Sequence, residues 1–175
     1  MKPTRHTHTA RGASLLELIL YIGIFSVVSA MFVGIVFYAS LGWTRANVES
    51  EVKQNLRFAM EDISRSVRQA SSVASPAAGA SANALSLAVG GQTVAYSLSG
   101  TTLQKQIGAG PAEALTTGDV KVTYLSFTTI QNTAASNAAV QATSTRFAMS
   151  VGYNSDSPQF DYTQHATSTA TLQNK

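Results

Sequence analysis

Glu17 is the only charged residue between Arg11 and Arg45. It stands at the mouth of a run from Leu18 to Trp43, 26 residues without Asp, Glu, Lys, Arg, His, Asn or Gln. About 20 apolar residues suffice to cross a bilayer. A charged, unpaired carboxylate in such a segment costs on the order of 3 kcal/mol, a cost that a cationic partner would offset. Ala13 and Glu17 are spaced i,i+4, so a helix carries both on one face.

The junction Arg11-Gly12-Ala13-Ser14-Leu15-Leu16-Glu17-Leu18 resembles the N-terminal cleavage and methylation motif of type IV pilins and pseudopilins. The resemblance implies that a prepilin peptidase cuts between Gly12 and Ala13 and methylates the new amine on Ala13. It implies that Glu17 meets the N-terminus of a neighbouring subunit and sets axial register during assembly. The implied partners are the peptidase, other pilin or pseudopilin subunits, the cytoplasmic membrane and an inner-membrane assembly platform. Two positions depart from the family: the mature chain would begin with Ala13 rather than Phe or Met, and Ser14 follows where Thr is common. The alternative is a signal-anchored extracytoplasmic binding module that does not assemble, with Glu17 a chance polar residue at the end of its anchor.

Charge divides the chain at the same place. Lys2, Arg5 and Arg11 lie in residues 1–12 and no acid does; nine basic and nine acidic residues remain beyond, so removing the leader takes the formal charge from +3 to zero. The basic leader keeps the N-terminus cytoplasmic and sends the C-terminal part outside. A cleavable secretory signal fits poorly, because its apolar core spans only about 7–15 residues. The chain has no cysteine, which excludes disulfides, thiol nucleophiles and cysteine zinc sites.

The elements that must position these groups begin with a helix. Beyond Arg45, apolar residues recur at Val48, Val52, Leu56, Ala59, Met60, Ile63, Val67 and Ala70, one helical stripe with charges on the other faces. No Pro or Gly falls between Trp43 and Ser75. The pattern predicts one helix from about Ser14 to Ser71, apolar all round in its first half and amphipathic in its second. Glu61 and Arg65 are spaced for an i,i+4 pair. Within the apolar half, Ser26, Ala30 and Gly34 recur every four residues, with Gly23 nearby; a row of small residues lets another helix come close. The segment Asn55–Ala70 is similar to the matching helix of minor pilins and minor pseudopilins, which implies a minor rather than a major subunit.

The rest predicts a small antiparallel sheet, and the whole an α+β, pilin-like fold. Residues 71–84 read as a Ser-, Ala- and Gly-rich loop. Runs at 85–89, 94–98 and 103–107 alternate with period two and are punctuated by Gly90-Gly91 and Ser99-Gly100, hairpin signals for a three-strand meander. Strands follow at 120–127 and 146–153, with a mobile loop expected from Asn132 to Ser144 and a terminal strand pair at 160–163 and 167–172. The organisation is thus leader 1–12, membrane or filament-core half 13–44, amphipathic half 45–71 and exported β domain 72–175.

No catalytic constellation is present, so the chain is expected not to be an enzyme and to need no cofactor. His6 and His8 fall in the leader, and His165 lies in a Thr- and Ser-rich tail. Asp156 and Asp161 lack metal-loop spacing, although some pseudopilins hold calcium in a similar region; turn formation is the simpler role. Basic residues beyond the leader are scattered, so no patch for specific nucleic-acid binding is evident.

Overall fold

Helix α1 runs from Leu15 to Gln69, close to the expected bounds. The structure, a computed structural model, describes residues 14–134, 137–157 and 160–173. The chain divides into two compact units, Met1–Thr44 and Arg45–Lys175. In the first, the described helical residues leave their large apolar side chains uncovered, Leu15 at 76%, Phe25 at 72% and Trp43 at 79% exposure among them. The helix is long and apolar enough to cross a membrane, and its most apolar 18-residue window is not buried at all.

In the second unit α1 changes character. Val52, Leu56, Ala59, Ile63, Val67 and Ala70 enter one core with the strands, as the 3–4 spacing requires, and Val48 is also buried. Among the described residues nine strands follow: β1 (Ala70–Ser75), β2 (Ser81–Ala82), β3 (Leu85–Val89), β4 (Gln92–Ser99), β5 (Thr102–Ile107), β6 (Ala112–Ala114), β7 (Val120–Ala134), β8 (Asn137–Tyr153) and β9 (Thr163–Thr171). They form a five-stranded sheet ordered β1-β3-β4-β5-β6 and a four-stranded sheet ordered β2-β7-β8-β9, with every named strand pair antiparallel. The two sheets adjoin where the Val122 amide donates to the Thr101 carbonyl at 2.8 Å. The fold is therefore α+β, a long N-terminal helix packed on small antiparallel sheets.

The meander β3-β4-β5 stands as expected, and its glycines show why. Gly90 and Gly91 take φ of 58° and 79° between the paired ends Val89 and Gln92, the two positive φ values of a type I′ turn. Gly100 takes φ of 62° between Ser99 and Thr102, while Thr101 keeps negative φ, which gives the type II′ pattern. The inner face of this meander is Leu85, Leu87, Val94, Tyr96 and Leu103, all buried.

Three expectations are corrected. Residues 71–84 are not one loop: α1 passes directly into β1, which pairs with β3 across two register shifts, and β2 pairs with β7. Of the expected mobile loop Asn132–Ser144, the described residues 132–134 and 137–144 are instead the outer parts of β7 and β8, paired from Val120↔Tyr153 to Ala134↔Asn137, while 135 and 136 lie outside the described residues. The terminal strand pair is one strand, β9, lying along β8. In each case the ladder recruits residues whose own pattern carries no apolar alternation.

A bulge at Thr123 explains the odd parity of β7. Val122 and Leu125, three apart, both face the core because the register shifts between Val122 and Tyr124. From there Leu125, Phe127 and Thr129 point inward opposite Met149, Phe147 and Thr145. The Phe127–Phe147 cross-strand pair is fully buried. The buried hydroxyls of Thr129 and Thr145 find no hydrogen-bond partner among the described residues.

Candidate functional site

The start of α1 is built by local hydrogen bonding. Ser14 occupies the N-cap, and its carbonyl accepts the Leu18 amide at 3.1 Å. Glu17 is then the third residue of the helix, in the acidic first turn, where the helix dipole favours a carboxylate by about 0.3–1 kcal/mol. The Ser-x-x-Glu spacing is that of a capping box. The Tyr21 hydroxyl, one turn on, donates to Glu17 Oε1 at 3.2 Å. Glu17 thus has two local supports that its spacing to Ala13 does not reveal. Gly12 and Ala13 lie outside the described residues.

The small-residue row lies along the same helix. The Ser26 hydroxyl donates back to the Ile22 carbonyl at 2.7 Å, so its polar group is satisfied inside the helix and needs no water. A Cβ added at Gly23 or at Gly34 would meet nothing within 4 Å. Among the described residues nothing therefore packs on Gly23 or Gly34, whose backbone stays open to close approach, and Ser26 and Ala30 are exposed beside them. Uncovered apolar surface on this scale far exceeds what soluble monomers expose.

In the second unit the polar groups serve attachment. Asp62, on the flank of the apolar stripe, accepts from Lys105 Nζ at 2.9 and 2.8 Å and from the Tyr96 hydroxyl at 2.6 Å. Since Tyr96 gives its proton to the carboxylate, Ser66 is the donor in the 2.7 Å Ser66–Tyr96 contact. Burial first, and the Asp62 carboxylate second, push the Tyr96 phenol well above the usual tyrosine range. Two turns before Asp62, Asn55 Nδ2 donates to the Glu51 carbonyl and to Glu51 Oε1, while Asn55 Oδ1 accepts the Thr117 amide at 3.0 Å. These partners tie α1 to β4, to β5 and to the connection after β6.

Sequence reasoning placed Asp62 among solvated charges and passed over Asn55, Ser66, Tyr96 and Lys105. A signal was available: Asn55, Asp62 and Ser66, spaced 7 and 4, form a second stripe beside the apolar one. Glu61 pairs with Arg57 at 2.8 Å rather than with Arg65. His165 is exposed on β9 and bonds Ser150 on the neighbouring strand, with no carboxylate behind it to orient the ring among the described residues. Asp156 and Asp161 stand apart from any metal-binding group: no three His, Asp or Glu side chains converge among the described residues. No protein-family model, no curated protein and no solved structure matches this chain.

Proposed function

We propose that the chain is a structural subunit, a minor pilin or pseudopilin, of a type IV pilus or type II secretion-like filament. Prepilin peptidase removes residues 1–12 and methylates Ala13; the apolar half of α1 is held in the cytoplasmic membrane and then packs among other subunits. The C-terminal unit lies outside, and the role is structural, with no catalytic step. The observation that carries the reading is the apolar half of α1 with every large side chain uncovered among the described residues and one carboxylate, Glu17, at its start. Magnitudes favour a cationic partner for that carboxylate. The helix dipole supplies at most about 1 kcal/mol against about 3 kcal/mol for the charge in an apolar layer, and the neutral Tyr21 hydroxyl leaves the charge in place. An amine on Ala13 of a neighbouring subunit supplies the missing charge.

The capping position and the Tyr21 bond give Glu17 work within its own helix, and this favours the second reading, a signal-anchored binding module. Two measurements separate them. Intact mass of the full chain co-expressed with a prepilin peptidase should show loss of residues 1–12 in wild type and retention in Gly12→Val; an uncut wild-type chain would reject the pilin pathway. Glu17→Gln keeps a hydrogen-bond acceptor for Tyr21 and removes the charge. Under the filament reading both Glu17→Gln and Glu17→Ala are processed normally and fail to enter filaments, whereas normal incorporation of Glu17→Gln would sink the ion-pair argument.

A further inference from the structure

Within the second unit, a groove of about 810 Å³ runs between the outer flank of α1 and strand β9. Four cations, Lys53, Arg57, Arg65 and Arg68, stand along its helical wall, against Glu61 as the only carboxylate lining it among the described residues. Glu61 is already held by Arg57, and Lys53 by Glu49 outside the groove. Arg65 and Arg68 are exposed and have no carboxylate within ion-pair distance among the described residues. Leu56 and Met60 provide an apolar floor, and Gln164, Ala166 and Ser168 of β9 form the other wall. Helix and strand run the same way, and the Gln173 amide donates to the Arg68 carbonyl at 3.3 Å to close the far end.

The strand adds an independent observation. Among the described residues β9 pairs only with β8 and ends its sheet, so its other edge has no partner strand there over nine residues. Edge strands are ordinarily guarded by Lys, other charges or Pro. The sequence Thr-Gln-His-Ala-Thr-Ser-Thr-Ala-Thr contains no Lys, Arg, Asp, Glu or Pro. A segment pairing with this edge would carry alternate side chains on the same face as Gln164, Ala166 and Ser168, and so into the groove beneath Arg65 and Arg68.

We propose that this groove and edge bind an extended acidic segment of a partner polypeptide, which adds a strand to β9 and sets alternate carboxylates against Arg65 and Arg68. A second copy pairing β9 with β9 would bring Gln164, Ala166 and Ser168, and no carboxylate, to those arginines. Single-stranded nucleic acid is ordinarily held by aromatic stacking platforms beside the basic groove, and among the described residues no aromatic side chain lines this one. The proposal stands on the second unit alone and does not depend on filament assembly.

The test uses the full chain in detergent micelles and a fluorescein-labelled peptide of about ten residues alternating Glu with Thr and Val, read by fluorescence anisotropy. The peptide should bind wild type. Arg65→Gln/Arg68→Gln, with an unchanged tyrosine near-ultraviolet spectrum as the folding control, should bind it at least about tenfold more weakly. The same peptide N-methylated at alternate backbone nitrogens should not bind, because strand pairing needs those donors while the charges are unchanged. Failure of the parent peptide to bind, undiminished binding to the double variant, or equal binding of the N-methylated peptide would each overturn the proposal. So would stronger binding of an oligothymidylate of matching length, or self-association of the full chain that Ser168→Arg abolishes.

Discussion

Replacing Tyr96 by Phe removes one oxygen from the centre of the attachment between α1 and the five-stranded sheet. In the wild type that oxygen donates to Asp62 Oδ2 at 2.6 Å and accepts from Ser66 at 2.7 Å, in a side chain that is fully buried. A hydrogen bond to a charged group contributes about 1.5–3 kcal/mol. Asp62 keeps both contacts to Lys105, so its charge is not stranded, and the Ser66 hydroxyl can turn to the carbonyl four residues back. The expected cost is therefore about 2 kcal/mol, near the lower part of that range. The assay is urea unfolding of the full chain in micelles followed by the near-ultraviolet circular dichroism of its tyrosines. Lys105→Met should cost a smaller amount, since the pair is about one-fifth exposed at both side chains and water screens it in part. The double variant should exceed the sum by more than about 0.5 kcal/mol, because each single variant leaves the Asp62 carboxylate one of these partners and the double leaves it neither. A cost below about 0.5 kcal/mol for Tyr96→Phe, or strict additivity with Lys105→Met, would refute the view that this cluster holds the helix to the sheet.

The same phenol makes stability depend on alkaline pH. Its folded pKa is raised, so its contribution is fully present below the unfolded value of about 10 and is lost as pH rises from there toward the folded value. The wild-type urea midpoint should therefore fall more steeply above about pH 10 than that of Tyr96→Phe, and parallel curves would contradict the assignment. Thr145→Val should stabilise by about 1 kcal/mol in the same unfolding assay, because it removes a buried, unpartnered hydroxyl at nearly constant volume. Asn55→Leu should cost about 1–3 kcal/mol and speed hydrogen exchange at the Thr117 amide, which loses its acceptor; unchanged exchange there would show that the connection after β6 is held by other means.

What could be read from the sequence followed the strength of local patterns. The helix was legible because 26 uncharged residues and then a 3–4 stripe leave no other element to draw. The meander was legible because positive-φ glycines punctuate alternating runs at Gly90-Gly91 and Gly100. Strands β1 and the outer halves of β7 and β8 were not, because Ala-Ser-Ser-Val-Ala-Ser and the Ala-, Asn- and Thr-rich stretch past Gln131 have weak strand preference of their own. They are strands because a buried neighbour offers a ladder: Leu87 to Val73, and the Phe127–Phe147 core to the residues beyond it. Glu17 stood out as a lone charge, yet its cap position and its bond to Tyr21 emerge only from the place where the helix begins. The Asp62 cluster was out of reach for a different reason. Its partners Tyr96 and Lys105 lie 34 and 43 positions away, and spacing rules act over a few residues.

The polar contacts on α1 also settle a question that its apolar stripe leaves open. A stripe of Val52, Leu56, Ala59, Ile63 and Val67 could slide by one turn, about 5.4 Å, and still present mostly apolar side chains to the same strands, with Asn55 or Ile63 in the place of Ala59. Hydrophobic burial is non-directional and distinguishes such registers weakly. The hydrogen bonds distinguish them strongly. A shift by four residues brings Phe58 or Ser66 to the place of Asp62, which leaves the Lys105 ammonium without a carboxylate and the buried Tyr96 hydroxyl without its acceptor. The same shift brings Glu51 or Ala59 to the place of Asn55 and strips the Thr117 amide of its partner. Each stranded buried group costs about 1–3 kcal/mol, and more where charged, so these contacts disfavour the slipped register by several kcal/mol beyond the cost of its poorer apolar packing. Polar residues beside the stripe thus hold the helix at one position along the sheet. That position in turn sets Arg65 and Arg68 opposite the open edge of β9.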